Sequence, residues 1–261
     1  MEGADRADQP RDRGGGLSST ADAWSGASYE RIAEAFAPAH EGIVERLEVR
    51  PRERFLDLAC GTGGVALVAA RAGADVTGVD FSADQIVKAR EAAEAAGLSI
   101  RYDEGDAQAL PYADASFDVV ASAFGVIFAP DHARAADELT RVCRAGARIA
   151  VTSWLDDDWF RLNSRLRPDY EGLASIEWGD ETYVSGLLPE FELRFERGES
   201  TIAAASDDEC WQLLSSSVPP LKAWLDTLDD AGREDAAREY RALIRDGSLA
   251  REYLLVLGVR R

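Results

Sequence analysis

The spacing of apolar positions changes period repeatedly along the chain. Arg54 to Ala59 is a short apolar run interrupted by one acid, Asp57, and reads as a buried strand. Gly64 to Ala72 follows at helical spacing, and Ala74 to Asp80 reads as a second strand. Ser82 stands where an N-cap should, before a helix over Asp84 to Ala96 that Gly97 ends. Leu98 to Asp103 is a third strand. Phe117 to Ala123 is a fourth, apolar enough to be covered on both faces. A helix over Asp131 to Arg144 and a strand over Arg148 to Trp154 complete five β-α repeats. That alternation predicts a parallel sheet with helices on both sides.

Beyond Trp154 the pattern weakens. Glu181 to Leu188 predicts a short helix, and Phe191 to Gly198 alternates as a strand. Ser206 caps a helix over Asp207 to Ser215, Leu225 to Arg245 predicts one long amphipathic helix, and Glu252 to Val259 a last strand. Near the start, Ile32, Phe36, Ile43 and Leu47 fall at helical spacing, with Pro38 expected to break the helix. The charged, glycine-rich residues 1–20 predict a flexible tail, and residues 21–261 one domain.

The first strand runs into Ala59-Cys60-Gly61-Thr62-Gly63-Gly64. Without a Cβ, Gly61 and Gly63 allow φ > 0 and close approach to a ligand, and the following helix start presents free N–H groups. The spacing also fits a dinucleotide fingerprint. Asp57, four residues before Gly61, suits a cationic amine better than a pyrophosphate. Asp80, at the end of the second strand, suits the two hydroxyls of a ribose. Glu104-Gly105-Asp106-Ala107 and Leu110-Pro111-Tyr112 then precede Ser116-Phe117-Asp118.

Together these segments resemble a class I methyltransferase dependent on S-adenosyl-L-methionine (SAM). The likeness is closest to small-molecule enzymes of the type found in ubiquinone and menaquinone biosynthesis and in secondary metabolism. The resemblance implies a Rossmann-like, doubly wound α/β fold. Its seven-stranded sheet would be mostly parallel with an antiparallel last strand. A helical lid over 21–50 and a helical insertion over 199–251 would shape a substrate pocket. It implies that Asp57 holds the methionine amine, that Ala59, Gly61 and Gly63 carry backbone past the cofactor, and that Asp80 binds the ribose. Phe81 would pack on adenine, Asp106 and the Ala107 N–H would read its edge, and Ala123, Phe124 and the lid's Tyr29 would lie near the reacting methyl. Trp24 anchors the same lid. Asp118 is read as structural.

Composition narrows the partners. The formal net charge of −19 over 261 residues disfavours nucleic acid and mildly favours a cationic cofactor. No apolar run reaches the length of a membrane span, and the three scattered cysteines suggest neither a disulfide framework nor a zinc site. With no apolar leader at the N-terminus, the expectation is a cytoplasmic monomer or homodimer acting on a small-molecule methyl acceptor, with no membrane and no metal.

A general base is not obligatory for methyl transfer. His132, just past the fourth strand, is the leading candidate, with His40 on the lid the other histidine. Asp169 and Glu171 are carboxylates of the same general region. Trp211, Trp224 and Tyr240 in the insertion suggest either an aromatic acceptor or a helical core. Two other classes stay open. One is an NAD(P)-dependent oxidoreductase, though no Tyr here has a Lys four residues later. The other is a SAM-binding protein without catalysis.

Overall fold

The computed structural model describes Ile32 and residues 35–261, the side chains of Glu171 and Leu173 aside. The expected tail and the first part of the lid, with Trp24 and Tyr29, lie outside the described residues.

The first described helix, α1 (Ala37–Arg46), carries Pro38 in its first turn, where the missing N–H costs nothing; proline starts this helix rather than breaking it. The chain then forms β1 (Arg54–Leu58), α2 (Gly64–Arg71), β2 (Asp75–Asp80), α3 (Ala83–Ala95), β3 (Arg101–Glu104), β4 (Phe117–Ala123), α4 (His132–Val142) and β5 (Cys143–Trp154). Next come α5 (Asp158–Leu166), α6 (Glu181–Leu187), β6 (Phe191–Ala203), α7 (Asp207–Ser217), α8 (Pro219–Leu225), α9 (Asp230–Arg241) and β7 (Ser248–Arg260).

The seven strands form one sheet in the order β3-β2-β1-β4-β5-β7-β6. The first five pair in parallel, and β7 runs antiparallel to both neighbours. The doubly wound sheet with a reversed last strand is therefore as the sequence implied. The order reverses between β1 and β4, which opens a crevice beyond their carboxyl ends.

Three boundaries differ from the sequence reading. Helix α4 stops at Val142, where its buried stripe of Ala135, Ala136, Leu139 and Val142 ends, and β5 starts at once with Cys143. The β4–β5 register jumps from Phe117↔Cys143 to Val119↔Arg148, so the intervening residues bulge, with Gly146 at φ 75°. Of the long helix expected over Leu225 to Arg245, Leu225 ends α8, and the helix of that span is α9, Asp230–Arg241. Asp229 caps α9 by accepting from Gly232 N at 2.8 Å, and that cap is incompatible with continuous helix. The β6–β7 hairpin pairs without a break from Phe191↔Arg260 to Ala203↔Ser248. The insertion's helices are thereby confined to Asp207–Arg241, inside the expected 199–251.

The lower edge of the sheet is held by charge. Asp118 accepts from Arg54 N at 2.8 Å and pairs with the guanidinium groups of Arg54 and Arg144, which joins the starts of β1, β4 and β5. Burial alone would raise this carboxyl, yet the bonds from Arg54 and Arg144 hold it well below the usual carboxylate range. A depressed pKa stabilises the fold above the pH at which an unfolded Asp ionises, about 4, and that contribution fades as pH falls through it. Asp118→Asn is expected to lower stability at pH 7 by about 1–3 kcal/mol and to flatten the acid limb of the stability profile. Urea unfolding across pH 3–8 checks this; parallel profiles for the two proteins would refute it.

Candidate active site

The crevice at the reversal of strand order is built by two loops in unusual backbone conformations. After β1, Ala59 sits at φ 53°, and after β4, Phe124 sits at φ 56°. Each costs an L-residue about 1–2 kcal/mol, and such strain concentrates at functional sites. The loops touch between them: a methyl group at Gly125 would fall 2.4 Å from the Ala59 carbonyl oxygen, so only glycine fits. Phe124 N donates to Thr152 Oγ1 at 3.0 Å and Val126 N to Ser122 Oγ at 2.9 Å, which fixes the second loop on buried side chains of β4 and β5.

Asp57 and Asp80 lie at the base of this crevice, 1% and 6% exposed. One Asp57 oxygen accepts from Ala66 N of α2 at 2.8 Å. Asp80 accepts from Gly61 N at 2.8 Å and Ser82 N at 2.9 Å. Burial raises both carboxyls; for Asp57 the Ala66 N–H opposes the rise and the neighbouring Asp80 adds to it. Neither has a side-chain cation as an ion-pair partner among the described residues. Two acids enclosed together without a counter-ion form a site for a cation and for hydroxyl donors.

An open cavity stands over them. Of the residues singled out from sequence, Asp57, Ala59, Gly61, Asp80, Phe81, Ala123 and Phe124 line it. At Gly61 (φ 53°) an added Cβ meets nothing within 4 Å. Phe81 is half-exposed at the rim.

The remaining candidates are placed differently. Gly63 (φ 81°) caps α2 away from the cavity lining, and a Cβ there would strike the Tyr102 hydroxyl at 2.4 Å, so its glycine serves packing. Asp106 closes a turn: it accepts from Gln108 N at 2.8 Å and from Gln108 Nε2 at 3.1 Å. Ala107 packs on the core and lines neither this cavity nor the one behind it. His132 is a correction. It is 8% exposed, with Nδ1 2.9 Å from Tyr183 Oη and Nε2 3.2 Å from the Ile127 carbonyl. Both ring nitrogens are occupied, and the ring abuts Trp178 rather than the cavity. The side chain buries a polar knot between α4 and α6 and is not positioned as a base.

His40 of α1 does line the cavity, packed so close to Gly64 that a Cβ there would fall 2.4 Å from its Cε1. Burial pushes its pKa down to about 4, so the ring is neutral at pH 7 and adds no charge opposing a bound cation. Phe36, Phe128 and Gly125 were not singled out from sequence. Only Gly125 carried a local signal, a glycine directly after the fourth strand.

Phe36, Phe124 and Phe128 also form the wall of a second chamber behind the first. Phe124 stacks on Trp154 with centroids 4.1 Å apart, and Phe36 tilts against Phe124 at 5.2 Å. Trp159, Phe160 and Tyr170 line the far side, with Leu214, Val218 and Pro220 contributed by the insertion. Trp211 and Tyr240 instead stack on each other in the insertion's core, and Trp224 is absent from the chamber wall. No cluster of metal-ligating side chains is found among the described residues, and no helix there is long and apolar enough to cross a membrane.

A doubly wound sheet with paired acids and a Cβ-free turn at its switch point defines a nucleoside-cofactor protein. Comparison with known proteins narrows this. Residues 56–151 match the methyltransferase domain family. An uncharacterised protein of Mycobacterium tuberculosis is 36% identical over 251 residues, 89% of this chain and 90% of that protein. A demethylmenaquinone methyltransferase of Thermus thermophilus is 46% identical over 181 residues, 66% of this chain and 81% of that enzyme. Among solved structures, a putative methyltransferase from Bacillus halodurans superposes with a TM-score of 0.62 at 20% identity, covering 84% of this chain and 97% of that one. The chain belongs to the class I SAM-dependent methyltransferase family, and SAM is its cofactor.

A carboxyl whose folded pKa is raised binds its proton more tightly in the folded state. Asp57 therefore favours folding at low pH and loses that contribution as pH rises above about 4. Asp57→Asn keeps an oxygen for Ala66 N and removes the titration. The ligand-free variant is expected to melt above the wild type at pH 7, with a gap that closes toward pH 4, while its SAM affinity falls. Melting curves and calorimetry check this; a wild type more stable than the variant at pH 7 would refute it.

Proposed function

We propose that the protein transfers the methyl group of SAM to a small, largely apolar acceptor bound in the second chamber. The observation that carries this reading is the shared wall: the acid-floored cavity and the aromatic chamber meet at Phe36, Phe124 and Phe128.

In this reading Asp57 receives the methionine ammonium and Asp80 the ribose hydroxyls, each carboxylate using lone pairs left after its backbone bonds. Gly61 leaves room for the cofactor's passage, and Ala59 carries backbone past it. Phe81 covers the adenine. Asp106 reads the adenine amine with the Ala107 N–H beside it once Gln108 releases the carboxylate. Gly105 N donates to the Asp80 carbonyl at 2.9 Å and so ties that segment to the rim of the cavity. Ala123 and Phe124 flank the methyl.

SAM supplies an activated methyl on a cationic sulfur. The chain's part is to hold that cation between acids and aromatic faces, to align the acceptor opposite the sulfur and to keep water out. Phe36, Phe124 and Trp154 form a packed aromatic cluster beside the junction of the two spaces. No histidine among the described residues lines the acceptor chamber. Positioning then supplies the rate, with no base required of the protein. The acidic surface fits a small acceptor rather than nucleic acid, and a cytoplasmic monomer or homodimer is part of the same reading.

Calorimetry is expected to show binding of SAM and S-adenosylhomocysteine but not of NADH or NADPH. Asp80→Ala is expected to weaken SAM binding by about 1–3 kcal/mol, the loss of buried ligand hydrogen bonds. Nicotinamide binding would favour the oxidoreductase alternative. SAM binding with no turnover of any compound in a broad set of radiolabel-assayed acceptors would leave a non-catalytic SAM-binding protein.

A further inference from the structure

The inner chamber is apolar except for Asn163, Tyr170 and Arg251. Two of these are spoken for. Arg251 lies over Trp154 at 4.1 Å and donates to both Asp157 oxygens, at 2.7 and 3.2 Å, so its charge is neutralised. Asn163 donates to the Trp159 carbonyl at 2.7 Å and accepts from Arg167 at 3.1 Å and from the Tyr240 hydroxyl at 2.9 Å.

Tyr170 and Arg167 are different. The Tyr170 hydroxyl makes no hydrogen bond to a described residue. Arg167, 9% exposed, lies with its guanidinium 4.1 Å over the Tyr170 ring. It donates to Asn163 and, at 2.8 Å, to the Pro220 carbonyl, both neutral acceptors. Its Nε is buried with no partner, and no described carboxylate pairs with it. Its neighbours Asn163, Tyr170 and Pro220 are all chamber wall. An uncompensated cation therefore stands one side chain behind an aromatic chamber whose one unpartnered hydroxyl is the ring it covers. Buried charge without a counter-ion is unfavourable, and a nearby acid lowers that cost by ionising.

We infer that the chamber recognises an aromatic acceptor through an ionised hydroxyl, a phenolate or enolate, that accepts from Tyr170 and offsets the charge of Arg167. The inference rests on the proposed reading of the chamber as the acceptor site. The ring packs among Trp154, Trp159 and Phe160, and the oxyanion takes the polar corner. A neutral phenol crosses the acidic exterior without repulsion and gives its proton to solvent as it binds. The other titratable groups facing this corner leave the signal clear: burial pushes Tyr170 up and Tyr240 up to about 12, and Arg251 is matched by Asp157.

The test uses the full chain saturated with S-adenosylhomocysteine and two matched probes, 4-nitrophenol and nitrobenzene. Phenolate absorbance of bound 4-nitrophenol is followed against pH. Its pKa is expected to fall on binding by about one unit or more, a preference of at least about tenfold for the anion. Tyr170→Phe is expected to weaken 4-nitrophenol about fivefold or more and to leave nitrobenzene unchanged. Arg167→Lys should keep the ionisation shift and Arg167→Gln remove it. Should the Gln variant not fold, judged by its melting curve, the wild-type shift and the Tyr170→Phe discrimination decide. An unshifted pKa, an equal loss of both probes in Tyr170→Phe, or no probe binding to the loaded protein overturns the inference. Failure of S-adenosylhomocysteine itself to bind overturns the underlying methyltransferase reading instead.

Discussion

Two carboxylates enclosed at neighbouring strand ends set the terms for everything around them. Asp57 and Asp80 sit where water is scarce, their only compensation a few backbone N–H groups, and the Asp80 charge adds to the cost of ionising Asp57. Such a pair is unfavourable in an empty protein and favourable around a cation. The adjoining histidine, His40, is held neutral by its own burial, and the facing walls are aromatic rather than basic, so the protein adds no cation of its own there. The site is built as an electrostatic deficit that a positively charged ligand fills.

Geometry delivers this deficit to the place where chemistry can occur. The β1 and β4 loops approach so closely that Gly125 has no room for a side chain beside Ala59. Their two left-handed residues turn the Ala59 backbone and the Phe124 ring toward the crevice. Phe124 then faces two ways, onto the acid-floored cavity and, stacked on Trp154, onto the chamber behind. That chamber depends on elements remote in sequence. Strand β6 carries Ile202, strand β7 carries Leu249 and Arg251, and the helices between them close its far side. The long hairpin thus joins the cofactor half of the sheet to the acceptor half.

Much of this is legible along the chain. Period changes locate the five β-α repeats and the switch point, and seven of the residues assigned to the cofactor, with His40, line one cavity. The misses have physical causes. His132 lies just past the correct strand end, yet rotation about α4 turns it to Tyr183 and Ile127. Gly63 has the residue type of a ligand turn and belongs to Tyr102. In each case residue type and neighbourhood along the chain are right, and side-chain direction, which sequence does not encode locally, decides otherwise.

The aromatic residues show the division most sharply. Trp211, Trp224 and Tyr240 stand out in sequence and are absent from the chamber wall, while Trp159, Phe160 and Tyr170, in the stretch where periodicity fades, form it. By itself the sequence determined the sheet, its order of helices and strands, and an acidic nucleoside-type site after β1 and β2, because those features rest on local period, turn chemistry and short-range spacing. Tertiary structure alone decided which rings enclose the second chamber and which cation is left unmatched beside it. Those outcomes depend on the packing of segments more than fifty residues apart, where contact direction is set by the assembled core and not by any neighbour in the chain.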